Sequence, residues 1–120
     1  MQLASDVVVA LIALLHVYIL VLEMFLWDKP AGLRAFGQTP EAARASKALA
    51  ANQGLYNGFL AAGLAWGLAQ GAAGSGVRLF FLSCVLVAGV YGGLTASRKI
   101  LFIQALPAAI GLGFTFAARL

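Results

Sequence analysis

Residues 7–27 form an apolar run whose strongly polar members are His16 and Glu23. As a helix rising 1.5 Å per residue, the run is about 30 Å long, the thickness of a bilayer's hydrocarbon core. Three more runs, at about 49–68, 77–96 and 100–118, approach the same length. Few folds tolerate four such segments in 120 residues. Apolar residues make up 62% of the chain and charged ones 10%. A soluble chain this small cannot hide that much apolar surface, because small folds leave a large share of their area exposed. The expected class is all-α: a polytopic membrane protein, a bundle of four transmembrane helices forming a single domain over residues 1–120. Met1–Leu22 lacks the basic start and small-residue cleavage site of a signal peptide and reads as a retained first span.

Residues 28–48 are the long polar connection. Pro30, Gly32 and Gly37 read as breaks in regular structure. Thr39-Pro40-Glu41 reads as a helix start, with Thr39 as N-cap, Pro40 in the first helical position and Glu41 at the positive dipole end. The helix beginning there runs on into the second span. Residues 70–76 form a tight Gly-rich turn and Ser97-Arg98-Lys99 a short connection. Pro107 removes a backbone donor inside the fourth span and predicts a kink.

Lys29, Arg34, Arg44 and Lys47 lie on the first connection, and Arg98 and Lys99 on the third. The other side holds Arg78 and Arg119. The positive-inside rule makes the first and third connections cytoplasmic and places both termini on the outer side.

Polar side chains within lipid need a partner or a purpose. Glu23, Asn52, Gln53, Tyr56, Asn57, Tyr91, Thr95 and Gln104 fall at a similar depth near the cytoplasmic ends of four spans. They define a candidate binding pocket open to the cytoplasm, while the outer halves read as apolar packing. His16 stands two helical turns deeper than Glu23; seven residues are about 700° of rotation, so both share a face. A His and a carboxylate so placed suit a proton path. The alternative has His16 bonded to a neighbouring carbonyl and Glu23 paired with Lys29, Arg98 or Lys99. Gln53 with Asn57, and Asn52 with Tyr56, are one turn apart and can bridge helices or line a site for a small polar or amphipathic ligand. Gly54/Gly58, Gly63/Gly67 and Gly89/Gly93 have the spacing of close helix packing, within the chain or in a homo-oligomer. One His and one Cys supply no ordinary zinc site, so no metal is expected. No cofactor-binding or phosphate-cradling motif occurs, and no feature supports nucleic-acid binding. Cys84, within an apolar run, reads as a small packing residue.

Glu23-Met24-Phe25-Leu26-Trp27, Phe36-Gly37-Gln38-Thr39-Pro40 and the stretch Ala51–Gly63 (Ala-Asn-Gln-Gly-Leu-Tyr-Asn-Gly-Phe-Leu-Ala-Ala-Gly) carry a resemblance. Over essentially its whole length the chain resembles a bacterial family of small integral membrane proteins catalogued as a domain of unknown function, family one-three-zero-four. The resemblance implies four membrane helices and a multi-pass place in the bacterial inner (plasma) membrane, and no established activity.

Three functions compete. The first is a small-solute transporter or channel, proton-coupled through Glu23. The second is a membrane enzyme or redox accessory protein binding a quinone or lipid, with His16, Glu23 and Tyr91 exchanging protons. The third is a structural subunit of a membrane complex, its polar cluster bonding helix to helix. The balance leans away from an enzyme.

Overall fold

The computed structural model describes all 120 residues, and its only regular structure is helical, with no strand. The elements are α1 (Gln2–Met24), α2 (Pro30–Phe36), α3 (Pro40–Ala69), a 3₁₀ turn (Gly71–Gly74), α4 (Ser75–Thr95), a π-helical stretch (Leu101–Ala105) and α5 (Leu106–Arg119). Three segments are long and apolar enough to cross a membrane: Gln2–Met24, Gly71–Thr95 and Leu101–Arg119. α3 has 30 residues, ample length, but its amides lower its hydropathy below the other three.

The chain divides into two compact units. The first comprises Met1–Leu14 and Leu60–Leu120. Its core is Val9, Ile12, Leu64, Leu82, Val85 and Ala108, with Phe81, Leu86 and Leu112 packed against it. Glycine brings backbones together here. A Cβ on Gly89 would lie 2.5 Å from the backbone nitrogen of Ala105, and one on Gly63 would run into the Phe81 ring. The close approaches at Gly63, Gly67, Gly89 and Gly93 are all made within the chain.

The irregularity expected at Pro107 sits one turn earlier. The N–H of Leu106 bonds to the carbonyl of Leu101, five residues back, and residues 101–105 are π-helical. Proline lacks the N–H that would close the next α-turn, and its ring crowds the carbonyl four residues back, so the wider turn fits upstream of it.

The second unit is Leu15–Phe59. It holds a helix that the sequence reading treats as broken chain. Pro30 starts α2 instead of interrupting it, and Gly37 ends it with φ +62°, the left-handed conformation that closes helices. Both residues are boundary signals. Gly32 sits against the carbonyls of Leu26 and Trp27, where any side chain would collide. α2 therefore folds back directly on the end of α1. The Trp27 and Phe36 rings pack with centroids 4.7 Å apart.

α3 starts where the Thr39-Pro40-Glu41 pattern places it. Thr39 Oγ1 accepts a hydrogen bond from the Ala42 N–H at 3.2 Å. Ser46 Oγ takes a bond from Trp27 Nε1 at 3.1 Å and donates to the Ala42 carbonyl at 2.8 Å. Lys47 Nζ lies 3.1 Å from Asp28 Oδ2. That bond holds the Asp28 carboxyl below the usual carboxylate range.

Candidate functional site

Glu23 stands on the last turn of α1, in a helix otherwise nearly free of charge. Its side chain is 2% exposed. Asn57 Nδ2 donates to Glu23 Oε1 at 2.5 Å, across 34 residues of sequence. Two glycines on α3 allow this. A Cβ at Gly54 would meet Met24 Cγ and Glu23 Cβ, and one at Gly58 would meet Leu20. With no side chains there, α1 and α3 approach closely enough for the short Asn57 amide to span the gap. Chemically, the site is a buried carboxyl able to take or give a proton, with one neutral donor bonded to it.

The other sequence-predicted residues of this unit fall differently. His16 is wholly buried, on the same side of α1 as Glu23. Asn52, Gln53 and Tyr56 are exposed. Asn52 Nδ2 bonds the Ala48 carbonyl of its own helix at 3.1 Å, so it does not reach across to α1. Glu23 takes its hydrogen bond from Asn57, and the ion pairs of this unit join other residues, so the alternative pairing of Glu23 with Lys29 does not form.

Tyr91, Thr95 and Gln104 belong to the first unit. Tyr91 is 70% exposed and lines a shallow apolar groove along α4 with Phe80, Ser83, Cys84, Val87 and Ala88. Thr95 Oγ1 donates to the Tyr91 carbonyl at 2.7 Å, one turn back on its own helix. Gln104 is half-buried, within the π-helical stretch.

The first unit corrects the expectation of purely apolar packing at the opposite end of α1. Ser5 and Thr115, both buried, share a hydrogen bond of 2.9 Å across 110 residues. Arg78 is 1% exposed although it sits in the first turn of α4, at the positive end of that helix's dipole. Its Nη1 lies 2.6 Å from Asp6 Oδ1 and its Nη2 donates to the Gly71 carbonyl at 2.9 Å. Gly67 leaves room for the Arg78 stem. Gln2 Nε2 donates to the same Asp6 oxygen at 2.8 Å. Sequence reading takes Asp6 and Arg78 as ordinary boundary charges. The available signal was that Asp6 is the one acid on its side of the chain.

No group of His, Cys, Asp and Glu side chains is placed to hold a metal ion. Among curated proteins, the chain is similar to the "Uncharacterized protein YpaA" of Lactococcus lactis subsp. lactis. The two are 29% identical over 106 residues, covering 87% of this chain and 89% of the relative. No solved structure matches. The Glu23–Asn57 pair lies inside residues 10–116, the stretch matched by the family described as "Protein of unknown function (DUF1304)", and it is to this family that the chain belongs.

Proposed function

We propose that the protein is a multi-pass inner-membrane transporter or channel for a small solute, in which Glu23 carries a proton. The observation that supports this reading is the Glu23 carboxyl, 2% exposed and bonded to Asn57, within a helix apolar enough to span a bilayer. A carboxyl at membrane depth is costly and, when placed inward, is by default a functional group. On this reading Glu23 takes up a proton from the side where α1 ends and releases it when the site rearranges. Asn57 holds the carboxyl in place. The neighbouring face of α3 exposes Asn52, Gln53 and Tyr56, polar groups open to a solute or to a second copy of the chain.

The reading makes α3 the fourth crossing. Its 30 residues measure about 45 Å as a helix, enough for the core with turns to spare. Its buried positions include Ala43, Ala50, Gly54, Asn57, Ala61 and Leu64, the small-residue face on which membrane helices pack. Four crossings put both termini on one side, which the positive-inside rule makes the outer one.

Replacing Glu23 separates a proton carrier from an interhelical bond. Glu23→Gln retains an oxygen acceptor for Asn57 and loses the titrating proton. Proteoliposomes loaded with a pH-sensitive dye, challenged with a panel of small neutral and cationic solutes, are expected to show solute-dependent proton movement with the wild type. The folded Glu23→Gln protein should show none. Equal fluxes in the two proteins would exclude Glu23 as the carrier.

A further inference from the structure

Each acidic side chain of the chain already has a partner. Asp6 pairs with Arg78, Asp28 with Lys47, Glu41 with Arg44, and Glu23 is bonded by Asn57. Three of these partners are cations, which leaves Lys29, Arg34, Arg98, Lys99 and Arg119 with no acid beside them. Two of them, Lys29 and Arg34, flank one short helix. Lys29 is the N-cap of α2 and Arg34 lies in its last turn, and both are exposed.

The position of α2 says what those charges face. Only five residues separate it from Met24, the end of α1, and Gly32 is pressed against the Leu26 and Trp27 carbonyls. α2 is thus held at the level where α1 leaves the hydrocarbon. Phe25 is exposed beside it, as is part of Phe36, whose ring packs on Trp27. Trp27 is the amphipathic ring that sits at a membrane interface, the Phe36 ring packed on it shares its depth, and basic residues at that depth meet phosphate. Of the four cations in the second unit, Arg44 and Lys47 are engaged with acids of their own, so that unit's uncompensated charge lies on Lys29 and Arg34.

We infer that α2 is a headgroup-binding element: Lys29 and Arg34 each meet the phosphates of anionic phospholipids while Trp27 and Phe36 rest in the interfacial layer. The partner is fixed by charge complementarity and by depth. The inference rests on α1 crossing the bilayer and is independent of any solute flux, so failure of the transport assay leaves it standing.

The test uses the full chain in detergent, with bound lipid counted by native mass spectrometry. Phosphatidylglycerol, phosphatidylcholine and inorganic phosphate are titrated separately. Wild type should prefer phosphatidylglycerol. K29Q/R34Q should weaken that binding roughly thirtyfold, about fivefold for each basic residue near an anionic surface. R119Q, at the far end of α5, should leave it unchanged. Both variants alter exposed side chains, and unchanged Trp fluorescence will verify their folds. Equal binding of the two lipids, or unchanged binding by K29Q/R34Q, overturns the inference. Full competition by millimolar inorganic phosphate also overturns it, in favour of a site for a free anion.

Discussion

Glu23 and Arg78 are both buried ionisable side chains, and the chain treats them differently. Glu23 is met by a neutral amide. Arg78 is met by an acid and a carbonyl, and its Nε is buried without an acceptor. Taking Asp6 away leaves a guanidinium buried without its counter-charge. Breaking a fully buried pair costs about 3–5 kcal/mol, and the 43% exposure of Asp6 lowers the expectation for Asp6→Ala to roughly 2 kcal/mol. Denaturant titration in micelles measures this loss. A second substitution, Arg78→Met, should recover most of it, because no charge is then stranded. These partnerships explain what sequence reading missed. Ser5 and Thr115 are 110 positions apart, and Asp6 and Arg78 are 72 apart. Each looks like a boundary residue until the helices are packed. Glu23 and Asn57 stood out because an acid and an amide at matching depth are conspicuous in apolar runs, whereas a serine or a terminal arginine is not.

Helices announce themselves here by length, and their joints do so less clearly. The apolar runs locate α1, α4 and the π-helical stretch with α5 to within five residues, and Thr39-Pro40 locates the start of α3. α2 is hidden because Pro30 and Gly37 read as breakers when seen singly, and as a start and a stop only when seen as a pair seven residues apart. The π-helical stretch is also beyond a sequence reading, since Pro107 signals a disturbance without its kind. Two predictions belong to the joints. Gly89→Ala should destabilise by about 1–3 kcal/mol, because the added methyl meets the Ala105 backbone and not a yielding side chain. Gly113→Ala, with open space around it, should be neutral or stabilising by up to about 1 kcal/mol through helix propensity. Thermal unfolding of both variants in micelles compares them directly. The second prediction concerns Asp28, whose carboxyl is depressed by its bond to Lys47. A depressed carboxyl stabilises above the ordinary carboxylate range, and its contribution fades as pH falls through the folded pKa. Trp27 fluorescence, read in a Trp66→Phe background, should therefore change as pH drops below about 4. Asp28→Asn should remove that transition.

Across the whole chain, the count of crossings decides the topology. Three crossings put the termini on opposite sides, and four put them on the same side. Three helices are apolar enough to cross on composition alone. α3 falls short because of its amides, Asn52, Gln53 and Asn57, so hydropathy is least informative where polar groups are buried between helices or lie along one face. Single cysteines introduced at Gln2, Arg98 and Leu120, in a Cys84→Ser background, report the outcome. A membrane-impermeant maleimide applied to intact cells should label positions 2 and 120 and spare 98. Labelling of only one terminus would mean that α3 does not cross.

α3 runs without interruption from its Thr39 cap past Lys47 to Asn57. The ten residues from Lys47 to Asn57, about 15 Å of unbroken helix, behave as a stiff shaft. A twist applied at its surface end, where Ser46 and Lys47 grip Trp27 and Asp28, arrives undiminished at the Asn57 amide. A turn of a few degrees swings that amide sideways by a fraction of an ångström, and a hydrogen bond tolerates little more. The hold on Glu23 is thus geared to the far end of α3, and whatever torques that end loosens or tightens the Asn57 bond.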